Sequence, residues 1–341
     1  MPSADPRIKI PDFMSPWPSK QHGWPWEARM HIDSQSIIAE SEQWVRAYEG
    51  VDGTLVDKIM KGRFPEIACL AWGHQTREQC LLAALVMFHF WVVEEVTDHE
   101  DEASVREKAD AMTQALQHPG SSLTAPLPVT EWVGVRMAAD ITTKYKAIGT
   151  YESWKFYVDT FVDYLDAVVG EVAVRNKPIS SRADYLRLRV NTIGILPGIA
   201  LALIDCDLQP DFLELNVVKS LMSLTVLIMI HQNDLYSFDK EQAQGDDSHN
   251  GVRVLMEERK IGVQEAMDYL GGETTDLMRE FVYLCENLPT LKDERNNQHL
   301  RVLRDGCISW IIGIEVWYTQ VTMRYGMQRL DKDRTYIPTK I

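Results

Sequence analysis

Apolar side chains recur at three- and four-residue spacing along most of the chain, starting near residue 34. This period is typical of amphipathic helices that bury one face. Stretches of alternating apolar and polar residues do not exceed about four residues, so strands are not expected. We therefore predict an all-α fold of about ten helices. The predicted helical segments are 34–48, 76–93, 103–117, 131–148, 152–174, 182–195, 209–241, 263–269 continuing through 276–286, and 296–325.

The helical region is interpreted as one domain flanked by two shorter segments. Residues 1–33 are rich in proline and tryptophan and lack periodicity, so we predict an N-terminal arm. Residues 34–326 would form a single all-α domain, and residues 327–341 a C-terminal tail. Proline and glycine breakers separate the helices, but none resembles a long interdomain linker. The breakers are Pro65, Pro119 with Gly120, Pro126 to Pro128, Lys177 with Pro178, Gly271 with Gly272, and Pro289.

Composition narrows the classes of function. Lysine and arginine total 35 against 50 aspartates and glutamates, which gives a net charge of −15. This acidity disfavours nucleic acid or an anionic membrane as a partner, because both select basic surfaces. The longest apolar run, 81–93, is shorter than the roughly 18 residues of a membrane span. The first residues lack the apolar core of a signal peptide and the five cysteines are scattered, so we expect reduced thiols and a cytoplasmic location.

A polar stripe at the end of a long apolar helix has the chemistry of a metal site. Asn233, Ser237 and Glu241 are four residues apart, so their side chains share one helical face. An amide oxygen, a hydroxyl and a carboxylate are oxygen ligands suited to Mg²⁺, with positions left for water and phosphate oxygens. Lys240 lies beside them in the sequence. A solvated polar helix end is the alternative interpretation of the same spacing.

A second acidic group follows another apolar helix. Glu94, Glu95 and Asp98 come directly after the run 81–93, and Glu94 and Asp98 share a helical face. Clustered carboxylates repel one another unless a cation lies between them, so this group is a candidate for binding a divalent metal. A solvated acidic helix end, followed by an acidic loop, is the alternative.

The helical faces that carry Glu94 and Arg324 also carry large apolar side chains. A pocket lined by these side chains, with the polar groups at its end, is one interpretation of this pattern. Ordinary core packing is the alternative for each of these side chains. The predicted pocket residues are Met87, Phe90, Trp91, Trp310 and Trp317.

These motifs, in this order, resemble those of class I terpene synthases, and the chain is similar to the single-domain terpene cyclases of fungi and bacteria. The run 233–241, NDLYSFDKE, matches the metal motif (N/D)Dxx(S/T)xxxE at every defined position. The run 94–98, EEVTD, matches D(D/E)xxD except at its first residue. The segment 185–194, YLRLRVNTIG, is similar to YLxLRRxTxG, with Val190 in place of the second arginine. Arg324 with Tyr325 resembles the C-terminal Arg-Tyr pair of the family.

The resemblance implies a role for each matching residue. The break that Gly194 and Pro197 predict in the helix would aim a backbone carbonyl at the substrate. Three Mg²⁺ ions would be held by the two metal motifs, and the diphosphate would be bound by basic side chains and a tyrosine. The implied metal ligands are Glu94, Glu95, Asp98, Asn233, Ser237 and Glu241, and the implied diphosphate ligands are Arg189, Lys240, Arg324 and Tyr325.

The implied activity is that of a sesquiterpene cyclase that ionises farnesyl diphosphate, as a monomer or a homodimer. Loops near 244–250 and the C-terminal tail would close over the pocket. Glu94 stands where the family has aspartate, and three outcomes are open: Glu94 bridges a shifted pair of metal ions, Asp98 takes more of the coordination, or the site is impaired. A homologue that binds prenyl diphosphates without turnover is one alternative function. A chain-elongating prenyltransferase is another, which the motif 233–241 disfavours.

Overall fold

A computed structural model describes residues 7–12, 28–49, 51–97, 100–118, 132–174, 179 and 181–339. Helices dominate these residues, and the all-α prediction is confirmed. Two short strands, β1 (Ile8–Lys9) and β2 (Thr335–Tyr336), pair in antiparallel fashion. The helices are α1 (Ser34–Arg46), α2 (Gly53–Gly62), α3 (Pro65–Ala71), α4 (Arg77–Thr97), α5 (Glu102–Gln117), α6 (Val133–Ile148), α7 (Tyr151–Val174), α8 (Arg182–Thr192), α9 (Ile195–Ala202), α10 (Asn216–Gln244), α11 (Gly251–Arg259), α12 (Val263–Glu286) and α13 (Glu294–Val316).

Helix α4 lies in the core and packs against α1, α3 and α6. Within the described part of the chain, it is the one helix whose length and composition would suit a membrane span. The sequence prediction counts only the uninterrupted run 81–93, whereas the helix extends to Thr97. The most apolar window of α4 is 67% buried inside the protein, as in the core helix of a globular fold.

Three differences from the predicted helices have physical reasons. The helices α2, α3 and α11 have ten residues or fewer, which is too short for an apolar period to stand out. The helix predicted over 209–241 begins only at Asn216, because the preceding residues form turns. Gly271 and Gly272 do not interrupt α12. A Cβ at Gly271 would lie 2.3 Å from Pro11 Cβ, so this glycine lets the N-terminal segment pack closely on the helix.

The bend predicted near Gly194 is confirmed, and it is a complete break. Helix α8 ends at Thr192, Gly194 has a φ of 71°, and α9 begins at Ile195. Glycine adopts this left-handed conformation without the clash that a Cβ would cause. Pro197 lies in the first turn of α9, where a missing backbone N–H leaves no helical hydrogen bond unmade.

The last long helix ends earlier than predicted. Helix α13 stops at Val316, and the π-helical turn Trp317–Val321 follows it. Arg324 and Tyr325 therefore lie in a turn beyond the helix, whereas the prediction placed them at its end. Thr322 Oγ1 fixes this turn, because it donates to Gly62 O at 2.9 Å and accepts from Arg324 N at 3.1 Å.

The two terminal segments lie together and contact α10. Ile8 pairs with Tyr336 in the two-stranded sheet. Arg334 donates through Nε to Ile10 O at 3.2 Å and through Nη2 to Tyr236 Oη at 2.8 Å. Since Tyr236 is on α10, these contacts join the N-terminal segment, the tail and that helix.

Candidate active site

The long helices α4, α7, α10 and α13, with the broken pair α8–α9, enclose a cavity of about 300 Å³. Apolar and aromatic side chains line its depth, and charged and polar side chains surround its mouth. Thirteen of the sixteen sequence-predicted site residues line it: Met87, Phe90, Trp91, Glu94, Arg189, Gly194, Asn233, Lys240, Glu241, Trp310, Trp317, Arg324 and Tyr325. Ser237 and Glu95 are not among the lining residues, and Asp98 lies outside the described residues.

Aromatic side chains form the apolar wall in a packed arrangement. Trp91 stacks on Phe64 with ring centroids 3.6 Å apart, and Trp317 lies 5.3 Å from the same ring. Phe90 packs against Phe161 and Tyr164, each at 4.9 Å. Stacked and edge-to-face pairs of this kind hold ring orientations, so the wall presents fixed ring faces to a ligand.

Trp310 occupies space that a glycine leaves open. A Cβ at Gly198 would lie 1.4 Å from the indole ring of Trp310, so glycine at this position of α9 is required for the ring to fit. Trp72 packs on the other side of the indole with centroids 4.6 Å apart. The predicted pocket side chains therefore also serve as core packing, and the two interpretations are compatible.

The stripe on α10 is aligned as the spacing predicted. Asn233 and Glu241 face the cavity, and Ser237 is buried between them. Arg189 Nη2 donates to Asn233 Oδ1 at 3.1 Å, and Asn233 Nδ2 donates to Tyr318 Oη at 2.8 Å. Burial raises the pKa of Glu241, and the hydrogen bond from Ser237 only partly offsets that effect. A cation beside Glu241 would compensate its buried charge.

Arg189 lies at the centre of a buried charge network at the mouth of the cavity. Burial opposes its charge, but Tyr185, Glu171 and Asp234 surround it and together keep its pKa above the ordinary value. Burial likewise opposes the charge of Glu171, but the hydrogen bond from His249 and the charge of Arg189 lower its pKa below the usual range. Arg189 is therefore a cation held in place by neighbouring groups before any ligand enters.

The acidic motif on α4 is divided between two environments. Glu94 lines the cavity. Glu95 instead forms an ion pair with Lys58 of α2 and lies 3.8 Å from Arg324 Nη1. In this arrangement Glu95 contacts basic side chains and does not face the cavity, so its predicted role as a metal ligand has no support from its position.

Lys240, Arg324 and Tyr325 form the basic side of the mouth. Lys240 Nζ lies 5.8 Å from the ring of Tyr325, and the guanidinium of Arg324 lies 4.7 Å from the ring of Trp91. Burial, and then the charge of Arg324, lower the pKa of Lys240. Two cations held so close favour an anionic ligand between them, and a diphosphate has the charge to fill that role.

Within the described residues, the donor set on α10 offers oxygen ligands that fit a magnesium-type ion. Among the described residues, no group of three or more His, Cys, Asp or Glu side chains could hold a metal ion. Asn233, Ser237 and Glu241 offer an amide oxygen, a hydroxyl and a carboxylate on one helical face, and Glu94 lines the same cavity. Hard cations that keep several water ligands bind through few carboxylates, so this set suits Mg²⁺.

Several residues at the mouth were not predicted from the sequence. Tyr318 binds Asn233, His249 Nδ1 lies 3.3 Å from Glu171 Oε1, and Asn250 donates to Glu241. Asp246 and Ser248 also line the cavity. Most of these residues lie in the polar run 244–250, which the sequence predicts as a loop. The position of this run directly after the metal motif could have indicated that it contacts the site.

Comparison with known proteins identifies the family. The model of terpene synthase family 2, C-terminal metal binding, matches residues 86–280. A Delta(6)-protoilludene synthase of Stereum hirsutum is 31% identical over 94% of this chain and 89% of its own length. A sesquiterpene synthase of Postia placenta is 26% identical over 94% of this chain and 91% of its length.

Solved structures show the same fold. A linalool/nerolidol synthase of Streptomyces clavuligerus, in complex with 2-fluorogeranyl diphosphate, superimposes with a TM-score of 0.75 at 20% identity, over 85% of this chain and all of the other. Germacradien-4-ol synthase of Streptomyces citricolor gives 0.69 at 18% identity, over 86% and 98%. The matched region contains the acidic motif of α4 and the Asn-Ser-Glu stripe of α10, and the chain belongs to terpene synthase family 2.

Proposed function

We propose that the protein is a Mg²⁺-dependent sesquiterpene cyclase that converts farnesyl diphosphate into a cyclic C15 product and diphosphate. One observation carries the proposal: oxygen ligands and cationic side chains surround the mouth of a cavity whose depth is lined by aromatic rings. Relatives over nearly the full length are named Delta(6)-protoilludene synthases, which supports a sesquiterpene as the class of product.

The metal ligands proposed are Asn233, Ser237 and Glu241 on α10 and Glu94 on α4, with Asp98 added by the resemblance of its motif. Three Mg²⁺ ions, when bound, would supply Lewis-acid stabilisation of the departing diphosphate. Asn233, Glu241 and Glu94 all line the same cavity, so a diphosphate bound there can be reached from both α10 and α4.

The protein's own cations would hold the diphosphate while its bond to carbon breaks. Arg189 reaches the cavity from α8, Lys240 reaches it from α10, and Arg324 and Tyr325 reach it from the turn after α13. Charge-assisted donors of this kind strengthen as negative charge builds on the leaving oxygen, so they favour the transition state over the bound substrate.

The apolar depth would then hold the hydrocarbon and exclude water from the cation. Ring faces of Phe90, Trp91 and Trp317 attract positive charge. A cavity of about 300 Å³ has the size of a pocket for a small hydrophobic ligand. The backbone at Gly194, between α8 and α9, is also exposed to the cavity and can present a carbonyl dipole to the cation.

The test is incubation of the purified protein with geranyl, farnesyl or geranylgeranyl diphosphate, with Mg²⁺ or EDTA, and mass spectrometry of the organic extract. We expect a C15 product that requires Mg²⁺ and farnesyl diphosphate. Asn233→Leu serves as the inactive comparison, because it removes one candidate metal ligand from α10 and should abolish the product.

Other outcomes distinguish the alternatives. A folded protein that binds farnesyl diphosphate with Mg²⁺ but forms no product contradicts the cyclase proposal and supports binding without turnover. A longer prenyl diphosphate formed when isopentenyl diphosphate is added would assign the protein as a prenyltransferase.

A further inference from the structure

Asn250 is a buried residue between α10 and α11 that contacts both the metal stripe and the next helix. Its side chain is 1% exposed. The amide nitrogen Nδ2 donates to Glu241 Oε2 at 2.9 Å, to Ser237 Oγ at 3.3 Å and to Asp234 O at 3.0 Å. The three acceptors all belong to α10, and two of them are side chains proposed as metal ligands.

The orientation of the amide is fixed by its other end. Asn250 Oδ1 accepts from Val252 N at 2.9 Å, which is the N-terminal cap of α11. The NH₂ group must therefore face α10, and it carries two donors and no acceptor. Asn250 consequently cannot act as a metal ligand in this arrangement, although it lies beside the ligand set.

Gly251 explains how α11 approaches so closely. A Cβ at Gly251 would lie 2.3 Å from Asp234 Oδ2, so a residue with a side chain would push the start of α11 away from α10. Without that close approach, Asn250 Nδ2 would not reach Glu241.

We propose that Asn250 is a positioning residue that orients Glu241 and Ser237 towards the metal ions. The proposal rests on the metal role assigned above. The hydrogen bond from the amide to Oε2 restrains the carboxylate of Glu241, which otherwise has the rotational freedom of a helix-end side chain. Hydrogen-bond partners of metal ligands typically contribute 10–100-fold to metal affinity.

The choice of residue follows from the two roles that it fills at once. An aspartate would cap α11 but would present only acceptors to Glu241. A serine would cap α11 but would be too short to reach the carboxylate on α10. Both substitutions therefore keep the cap of α11 and remove the hydrogen-bond donor to Glu241.

The experiment measures Mg²⁺-dependent binding of inorganic diphosphate by calorimetry, with the thermal midpoint recorded for each variant. For Asn250→Ser we expect the Mg²⁺ concentration at half-saturation to rise about tenfold or more. We expect the same shift in the Mg²⁺ dependence of turnover. Asp293→Ala is the matched control, because it removes the cap of α13, where Asp293 accepts from Arg295 N at 3.0 Å. The control should lower the thermal midpoint without changing the Mg²⁺ dependence.

Three results would overturn the proposal. One is an unchanged Mg²⁺ dependence in Asn250→Ser. Another is an equal change in Asp293→Ala, which would make the effect one of stability alone. The third is tighter Mg²⁺ binding by Asn250→Asp, which would place residue 250 among the ligands themselves; weaker binding in that folded variant supports positioning. If the wild-type protein binds no diphosphate with Mg²⁺, the proposed function itself is contradicted, and this result differs from each of the three above.

Discussion

At the scale of single residues, Glu94 determines how the acidic motif can work. It lines the cavity, and Glu95 does not. If Glu94 bridges a shifted pair of metal ions, both the charge and the length of its side chain matter. We expect Glu94→Gln to lower kcat/KM at least about 100-fold, because the charge is lost. We expect Glu94→Asp to lower it about tenfold, because the shorter side chain keeps the charge but holds it further from the metal ions.

The measurement is steady-state turnover of farnesyl diphosphate across a range of Mg²⁺ concentrations. Glu107→Gln, at an exposed position on α5, is the matched control. Full activity in Glu94→Gln would mean that other residues coordinate the metal ions, and Asp98 would be the first candidate. Higher activity in Glu94→Asp would show that the natural glutamate impairs the site.

The stripe on α10 was predictable because its members lie on one helix, where spacing fixes their relative direction. Contacts between elements were not predictable in this way. Asn250 reaches the stripe, and His249 reaches Glu171, only because the chain turns back after α10 so that α11 packs against it. The geometry of that turn cannot be read from a single sequence. The same limit explains Glu95, whose ion pairs depend on where α2 and residue 324 lie.

At the scale of elements, the break between α8 and α9 connects the diphosphate end of the cavity to its apolar depth. Gly194 lies beside Phe90, and a Cβ there would be 3.1 Å from Phe90 Cε1. The residue also has a positive φ of 71°. Alanine would therefore be strained twice, by its backbone and by the ring.

We expect Gly194→Ala to lower the free energy of unfolding by about 1–2 kcal/mol and to change the ratio of terpene products. Gly170→Ala is the matched control, because Gly170 lies within α7 and a Cβ there would meet nothing within 4 Å. The control should stabilise the protein by about 1 kcal/mol and leave the products unchanged. Urea unfolding and product analysis of both variants decide the matter, and identical products in Gly194→Ala would contradict a role for the break in shaping the cavity.

Long elements were predicted better than short ones for a physical reason. The helices α7 and α10 span many turns, so their apolar period is evident in the sequence, whereas α2 and α11 have too few turns to show one. The end of α13 was misplaced because the π-helical turn keeps apolar residues near helical spacing while the backbone already departs from the α-helix.

At the scale of the whole molecule, the C-terminal tail is held to α10, the helix that carries the proposed metal stripe. Asp239 lies between Ser237 and Glu241 in the sequence and is 2% exposed. Its carboxylate accepts from Arg329 Nη2 at 2.7 Å, and from Thr339 N at 2.8 Å and Oγ1 at 2.7 Å. These contacts anchor the tail to α10 next to the proposed metal stripe.

We expect Asp239→Ala to lower the free energy of unfolding by about 3 kcal/mol, since the three hydrogen bonds from the tail to a buried carboxylate are lost at about 1 kcal/mol each. Asp333→Ala, which removes an exposed carboxylate of the same tail, should change it by less than about 0.5 kcal/mol. Equal unfolding midpoints for the two variants in urea would mean that the tail contributes nothing to the stability of the fold.

The stability of the whole molecule should also depend on pH through His89, a core residue of α4 outside the proposed ligand sets. Its ring is fully buried, Nε2 donates to Gly134 O at 2.9 Å, and Nδ1 is without a hydrogen-bond partner within the described structure. Burial lowers the pKa of His89 to about 4, against about 6.5 in an unfolded chain. Between these two values the unfolded chain binds a proton that the folded protein does not. The free energy of unfolding therefore rises with pH across this window and falls as the solution is acidified.

For this one group the change amounts to about 3 kcal/mol between pH 6.5 and pH 4. In His89→Phe the titrating group is absent, and loss of the hydrogen bond to Gly134 O lowers stability by an amount that does not vary with pH. Urea unfolding of both proteins at several pH values should thus give a difference, wild type minus variant, that shrinks by about 3 kcal/mol on acidification over that range. A constant difference would mean that the buried imidazole gains a proton in the fold as easily as in the unfolded chain, by a local opening of α4 against α6.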